Sequence, residues 1–302
     1  MKLAFLGSKA LGLAVLTAVH SASNEHNWRI MHPLDDDDER SCWGDFAKFA
    51  RKHNLEILNV SSQAVADKMI QDYKPDAILV CGWYWLISHP ILQVPPLGVF
   101  GIHNSLLPRY RGGSPLVWSI INGDNVVGAT VFRFTDGMDD GPILYQVKVP
   151  LCIDDNISVA LSGINNKLSE TFPTQWSSYL RGEAVMTPQD ESLATYCGQR
   201  VPEDGQIDWL KPAKSIHNFV RAQTRPYPGA YCYVNEKKVT IWTTEIDPRT
   251  YQGVPGQVLL RASDYVVIAC GQRTAVKILD VSIDNAPYHV REVFRSVKLR
   301  LT

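Results

Sequence analysis

Two short segments hold the residues whose types and spacing suit chemistry. The first is Gly101-Ile102-His103-Asn104-Ser105-Leu106-Leu107-Pro108-Arg109-Tyr110-Arg111-Gly112-Gly113-Ser114-Pro115. It ends an apolar run on a histidine and then opens a loop rich in Gly, Pro and Ser. The second, Asp136-Gly137-Met138-Asp139-Asp140-Gly141, follows another apolar run and sets carboxylates in a tight turn. An imidazole is the side chain best suited to carry a proton near neutral pH. A histidine at a strand end is, alone, more often structural than catalytic, and the acidic turn alone reads as a polar connection. If the two loops meet, His103 gains Asp139 as a carboxylate partner. Such a partner favours the charged ring and fixes its tautomer. The pair would suit proton removal from an attacking amine. Arg109 and Arg111 on the first loop could hold an anionic group, or could be solvated or paired with acids. No histidine stands at ligand spacing from the acidic turn, so no metal is expected there.

These loops need a scaffold that brings them together. Apolar runs predict strands at Lys2–Gly7, Trp28–His32, Leu55–Val60, Asp76–Cys81, Gly98–His103, Ala129–Phe134 and Ile143–Val149. Helical patterns separate them at Ala10–His20, Trp43–His53, Gln63–Tyr73, Pro115–Asn122 and Ile157–Leu180. Continuously apolar strands alternating with helices imply an α/β, doubly wound, mostly parallel Rossmann-like sheet covered on both faces. Ligands on such sheets bind beyond the carboxyl ends of the strands, where His103 stands. Composition changes near Gly182–Pro202. After a helix over Ala213–Arg221 come short strands at Lys238–Thr244, Gly256–Leu260, Tyr265–Cys270 and Ala275–Val281. A small, OB-like β-barrel is their natural closure. The expected domains are 1–200 and 201–302. Gly7-Ser8-Lys9-Ala10-Leu11-Gly12 lacks the full dinucleotide fingerprint and reads as a plain strand-to-helix turn.

The chain has 302 residues, 20% of them charged, and a formal net charge of -1. No global basic excess points to a nucleic-acid partner, and no apolar run reaches the roughly 20 residues that span a bilayer. The apolar start, Met1–Val19, raises the question of a signal peptide. Lys2 alone is a poor charged region, although Ser21-Ala22-Ser23 would pass as a cleavage site, and the strand-turn-helix reading is preferred. Six widely spread cysteines show neither a CxxC pair nor zinc spacing, so reduced thiols in a cytoplasmic protein are expected.

Phe100–Pro115 is similar to the Asn-x-His-x-Ser-Leu-Leu-Pro-x-x-Arg-Gly motif of the folate-dependent formyltransferases. Met138-Asp139-Asp140-Gly141 resembles that family's Leu-Asp-Thr-Gly segment, and Trp83-Tyr84-Trp85-Leu86-Ile87 resembles its folate-holding loop. Ile207-Asp208-Trp209, Ile216–Ala222 and Pro226-Tyr227-Pro228-Gly229-Ala230 resemble its C-terminal signature, so the likeness covers nearly the whole chain. The resemblance implies transfer of a formyl group from 10-formyltetrahydrofolate to an amine through a tetrahedral oxyanion, without a metal. It assigns His103 and Asp139 as catalytic. It places the folate against Trp85, Leu86, Ile87, Thr135, Asp136, Gly137, Met138 and Asp139, and the acceptor against Arg109, Tyr110 and Arg111. The family's asparagine falls at Gly101, which has no side chain to donate. One lost oxyanion donor typically costs roughly 2.7–4 kcal/mol.

The acceptor can also be read. Members that formylate methionyl-tRNA carry, by resemblance, a basic loop after the second strand. Here that place holds His32-Pro33-Leu34-Asp35-Asp36-Asp37-Asp38-Glu39-Arg40. Consecutive acids repel phosphates, which dominate nucleic-acid affinity, although an acid run is ordinarily a solvated loop. The expected acceptor is therefore a nucleotide-linked aminosugar of bacterial surface glycans (lipopolysaccharide or O-antigen), with no nucleic-acid or membrane partner. A homodimer is compatible with the chain. Methionyl-tRNA formylation is the alternative within the family. A catalytically weakened folate or nucleotide-sugar binding homologue is the alternative from another functional class, motivated by Gly101.

Overall fold

A computed structural model gives the architecture and describes residues 1–35, 38 and 40–302. Its first elements are β1 (Lys2–Gly7), α1 (Lys9–Ser21), β2 (Asn27–Pro33), α2 (Trp43–His53), β3 (Glu56–Val60), α3 (Gln63–Tyr73), β4 (Ala77–Cys81), the short α4 (His89–Leu92) and β5 (Val99–His103). There follow β6 (Arg111–Gly112), α5 (Pro115–Ile121), β7 (Val126–Arg133), β8 (Ile143–Pro150), α6 (Ile157–Leu180) and β9 (Tyr196–Cys197). The chain forms two compact units that interleave in sequence. Unit 1 comprises Met1–Gly112, Gly128–Lys148 and Ser162–Tyr196, and unit 2 comprises Gly113–Val127, Val149–Leu161 and Cys197–Thr302.

Unit 1 is built on a seven-stranded sheet in the order β3-β2-β1-β4-β5-β7-β8. The strands from β3 through β5 pair in parallel, and β7 returns antiparallel to β5. All five residues of β4, Ala77–Cys81, are buried, which is why that run is apolar without alternation. The helices stop where local chemistry stops them. Asn54 ends α2 and Lys74 ends α3, each in the left-handed conformation, and the Ser62 hydroxyl caps α3 by accepting from the Val65 amide. The register of β5 on β7 places Gly101 opposite Phe132 and His103 opposite Thr130. The Phe134 amide still bonds the Val99 carbonyl, at 2.7 Å. The turn after β7 therefore starts at the level of Val99 and must run back along β5 to approach His103. Gly141 permits this return, because a Cβ there would lie 1.7 Å from the Arg133 carbonyl oxygen.

Unit 2 holds α7 (Ala213–Gln223), β10 (Ala230–Val234), β11 (Lys237–Asp247), β12 (Val258–Arg261), β13 (Val266–Ala269), β14 (Ala275–Ile283), β15 (Ala286–Tyr288) and α8 (Val290–Val293). Its strands form an antiparallel sheet in the order β10-β11-β14-β13-β12, with β15 also on β14, consistent with a small barrel-like domain. Asn235 and Glu236, both at positive φ, turn β10 into β11, the backbone twist that two-residue hairpins favour. Ile216 and Val220 of α7 bury into the core of this sheet. On the same helix the Arg221 guanidinium donates to the Cys152 and Asp155 carbonyls at 3.3 and 2.5 Å, fastening the segment around residue 153. The His217 ring bonds the Ile153 carbonyl and the Thr244 hydroxyl, and burial holds its pKa below the usual histidine value.

Candidate functional site

His103 closes β5, and its ring is nearly buried. Nε2 lies 2.7 Å from the Tyr110 carbonyl oxygen. A carbonyl only accepts, so Nε2 carries a hydrogen, and in the neutral ring Nδ1 carries the lone pair. Nδ1 faces Asp139 Oδ2 at 3.6 Å. The two loops thus bring the expected pair together within unit 1. The tautomer is fixed differently from the expectation, however. The Tyr110 carbonyl sets it, while Asp139 stands at ion-pair distance from the basic nitrogen, beyond hydrogen-bond reach. Asp139 has φ of +51°, a conformation that aspartate tolerates better than most residues. The Gly112 amide donates to its Oδ2 at 2.8 Å. If Nδ1 takes a proton, the resulting N–H points at a carboxylate that is already held in place.

Gly101 lies buried on the same strand, two residues before His103. An ideal Cβ at this glycine would stand 2.0 Å from Cε1 and 2.3 Å from Cζ of Phe134. The ring of Phe134 therefore fills the space that an asparagine side chain would enter. Phe134 continues an aromatic file, with its ring centroid 5.2 Å from that of Phe132, which lies 6.3 Å from the His103 ring. The wall beside His103 at this height is apolar. The nearby Asn104 Oδ1 is buried without a hydrogen-bond partner among the described residues.

The remaining expected site residues divide. Arg111 was expected at the acceptor, but only 1% of its side chain is exposed. Its guanidinium bonds both carboxylate oxygens of Glu191, at 2.6 and 2.8 Å, and Gln189 Oε1, at 2.9 and 3.1 Å. Five fixed donors that deep need protein acceptors. Arg109 is exposed, with its guanidinium 5.1 Å from the centroid of the Tyr110 ring. Tyr110 is itself buried, at φ +59°. In the 83–87 loop, Trp83, Trp85 and Ile87 pack against the core, while Leu86 is 91% exposed. In the 135–139 turn, Thr135, Asp136, Gly137 and Met138 are exposed. Asp136 pairs with His89, and Thr135 donates to Asp140. Exposed Leu86 and Met138, with half-buried Trp85 and Ile87, would suit a flat heteroaromatic ring with one wet edge.

Gln189, Glu191 and Thr195 escaped the sequence reading. Gln189 Nε2 donates to the Asp139 and Gly141 carbonyls, both at 2.7 Å. The Tyr110 amide donates to Thr195 Oγ1 at 2.8 Å, and the Arg111 amide to the Thr195 carbonyl at 2.8 Å. The Pro-Gln-Asp-Glu stretch at 188–191 gives no periodic signal that would mark it as part of a site.

The acid run lies partly outside the described residues, because Asp36, Asp37 and Glu39 are not among them. Asp35 accepts from the Ser41 hydroxyl at 2.6 Å. Asp38 takes two bonds from Arg40, at 2.9 Å each, one from the Tyr84 hydroxyl at 2.8 Å, and faces Lys9 Nζ at 3.5 Å. The Arg40 bonds hold its carboxyl well below the usual aspartate range. The described acids are thus engaged locally rather than presented to solvent as bare charge.

Comparison with known proteins places this geometry. A model of the formyl transferase family matches residues 42–173, and a model of the formyl transferase C-terminal domain matches residues 200–298. HypX from Aquifex aeolicus, in complex with tetrahydrofolic acid, is 18% identical, with coverage of 98% of this chain and 47% of that one and a TM-score of 0.68. The chain thus spans about half the length of HypX. An N-formyltransferase from Helicobacter canadensis, in complex with folinic acid and dTDP-3-aminofucose, is 15% identical, with coverage of 95% and 100% and a TM-score of 0.70. Methionyl-tRNA formyltransferase from Clostridium thermocellum is 17% identical, with coverage of 82% and 94% and a TM-score of 0.58. At these identities the structural likeness speaks to the fold. The two matched family models, which together take in most of the sequence from Cys42 to Lys298, show that the chain belongs to the formyl transferase family.

Proposed function

We propose that this protein moves a formyl group from 10-formyltetrahydrofolate to the amine of a nucleotide-linked aminosugar. The observation that carries the reading is the apposition of His103 Nδ1 and Asp139 Oδ2 at the end of β5. His103, hydrogen-bonded through Nε2–H to the Tyr110 carbonyl, faces Asp139 through Nδ1, and the pair takes up the proton that the amine loses as it bonds to the formyl carbon and tetrahydrofolate leaves. Asp139 then faces the charged ring and stabilises it. Trp85, Leu86, Ile87 and the exposed 135–138 turn hold the folate ring, and the exposed guanidinium of Arg109 meets an anionic acceptor. A division near residue 200, with residues 113–127 and 149–161 grouped with the C-terminal part, belongs to the same proposal, as do a cytoplasmic setting and a place in surface-glycan synthesis.

The folate ligands of the HypX and Helicobacter canadensis structures support the donor, and the dTDP-3-aminofucose in the latter supports the acceptor class. The test is an incubation with 10-formyltetrahydrofolate and a panel of dTDP- and UDP-linked aminosugars, alongside methionyl-tRNA, read by mass spectrometry. Formylation of a sugar nucleotide is expected. Formylation of methionyl-tRNA alone would overturn the acceptor. A second reading, a folate-binding homologue with weakened catalysis, is favoured by the Phe134 ring in the Gly101 slot. It predicts tetrahydrofolate binding with no formyl product from any amine.

A further inference from the structure

We infer that residues 189–196 form a strap that positions both members of the reacting pair, with Gln189 acting on Asp139 and Thr195 acting on His103. The inference rests on the proposed roles of that pair. It reaches beyond them into residues 174–199, which lie between the two family matches.

The strap reaches each group through one intermediary. Gln189 Nε2 bridges the Asp139 and Gly141 carbonyls, so a single amide clamps both sides of the turn that carries the carboxylate. Asp139 sits in the left-handed region, and such a backbone persists only when its surroundings over-determine it. Gln189 is itself immobilised, because its Oε1 accepts two bonds from Arg111. Arg111 in turn is held by Glu191 and by the Tyr196 hydroxyl at 3.2 Å. At the other end, Thr195 takes the Tyr110 amide on Oγ1, and the Thr195 amide donates to the Pro108 carbonyl at 3.2 Å. Tyr110 is a bulky residue at φ +59°, another position that needs external restraint. Its carbonyl is the group that fixes the His103 ring. The buried guanidinium of Arg111 is thus the hub of a frame whose two ends meet the two reacting groups. Misplacing a reacting group by about 1 Å costs roughly 100-fold in rate, and that is the scale on which these contacts act.

Three variants test it. Gln189→Glu keeps an acceptor for Arg111 and removes the donor to the Asp139 and Gly141 carbonyls. Gln189→Leu removes both, and Thr195→Val removes the acceptor for the Tyr110 amide. Each is expected to lower kcat by roughly 10- to 100-fold, with KM for 10-formyltetrahydrofolate unchanged. The Gln189→Glu loss should disappear in an Asp139→Asn background, because the clamp acts through that carboxylate. A merely structural role would instead give losses that multiply, or KM moving with kcat, and either result overturns the assignment of Gln189. The tautomer of His103, read from its ring 15N shifts at alkaline pH, needs no turnover. The ring should carry its hydrogen on Nε2 in the parent and as a mixture of tautomers in Thr195→Val. An unchanged tautomer in a folded Thr195→Val protein overturns the role of Thr195. A mixed tautomer in a protein that formylates no amine would uphold the strap while removing the proposed function.

Discussion

Replacing Gly101 with asparagine puts the missing donor of the family motif against the ring of Phe134. Ordinary carbon–carbon contact is about 3.5–4.0 Å, whereas the new Cβ would lie 2.0 Å from Cε1 of Phe134. The ring edge must therefore retreat by roughly 1.5 Å before the amide has any room. Phe134 is half-buried and packs with Trp83 and Trp85 against the core beneath β4, so its inward path is closed. Overpacking of this kind costs about 1–3 kcal/mol. For a unit of this size that corresponds to a fall in Tm of roughly 2–12 °C. Gly101→Asn alone should melt lower and gain little turnover. Adding Phe134→Ala vacates the slot, and the double variant should turn over roughly 100-fold faster than Phe134→Ala alone, the scale of one oxyanion donor. KM for both substrates should change little, because the donor acts mainly in the transition state. Matched melting curves and steady-state kinetics on the three variants decide the matter. A Gly101→Asn protein that melts with the parent would refute the steric argument. A well-folded double variant with no gain over Phe134→Ala would refute the missing-donor account.

Other consequences follow from the same geometry. His103→Ala should abolish turnover while leaving tetrahydrofolate affinity intact by titration calorimetry. Asp139→Asn should lower kcat, and the two losses should fail to add, because the residues act as a unit. Arg111→Lys should lower stability by about 1–3 kcal/mol through lost buried hydrogen bonds, with KM for the acceptor unmoved. A raised acceptor KM at parental stability would return Arg111 to the substrate. Asp247 has its carboxyl held down to about 2 by the Arg249 guanidinium, against 3.8 when free. A depressed folded value means the contribution is full above about pH 4 and fades as pH falls toward 2. The stability gap between the parent and Asp247→Asn in chemical denaturation should therefore be flat at neutral pH and close across that acid window. A gap that persists at pH 2 would contradict it.

The sheet of unit 1 was legible because its strands are apolar on both faces and its helices are periodic. The patterns at Trp43–His53, Gln63–Tyr73 and Ile157–Leu180 coincide with α2, α3 and α6. The reversal at β7 was not legible, since an antiparallel edge strand leaves the same apolar signature as a parallel one. β10 and β15 also escaped explicit notice: β10 starts straight after a Pro/Gly cluster, and β15 is three exposed residues. At the site, motif spacing indicated that His103 and Asp139 belong together. It could not show that the Tyr110 carbonyl meets the imidazole, which depends on how the loop folds back, or that Arg111 faces inward, because its acceptors lie some eighty residues downstream. Phe134 was invisible for a related reason. Its meaning lies in its approach to Gly101 from just beyond the end of β7, and no local pattern encodes that.

The interleaving of the two units bears on how the chain can be cut, swapped or made. Residues 113–127 and 149–161 are translated long before the sheet they belong with, yet the anchor for the second of these, Arg221, comes only with α7. A nascent chain that has reached residue 200 therefore holds two orphaned stretches, including α5 with its buried Leu116, Val117 and Ile120. A fragment ended there would carry that apolar surface uncovered, an aggregation hazard rather than a free-standing domain. A chimaera joined at the same point would pair one protein's β-sheet with another's docking helix. Exchanging the second unit of this chain for another protein's would mean moving three separate pieces of chain together.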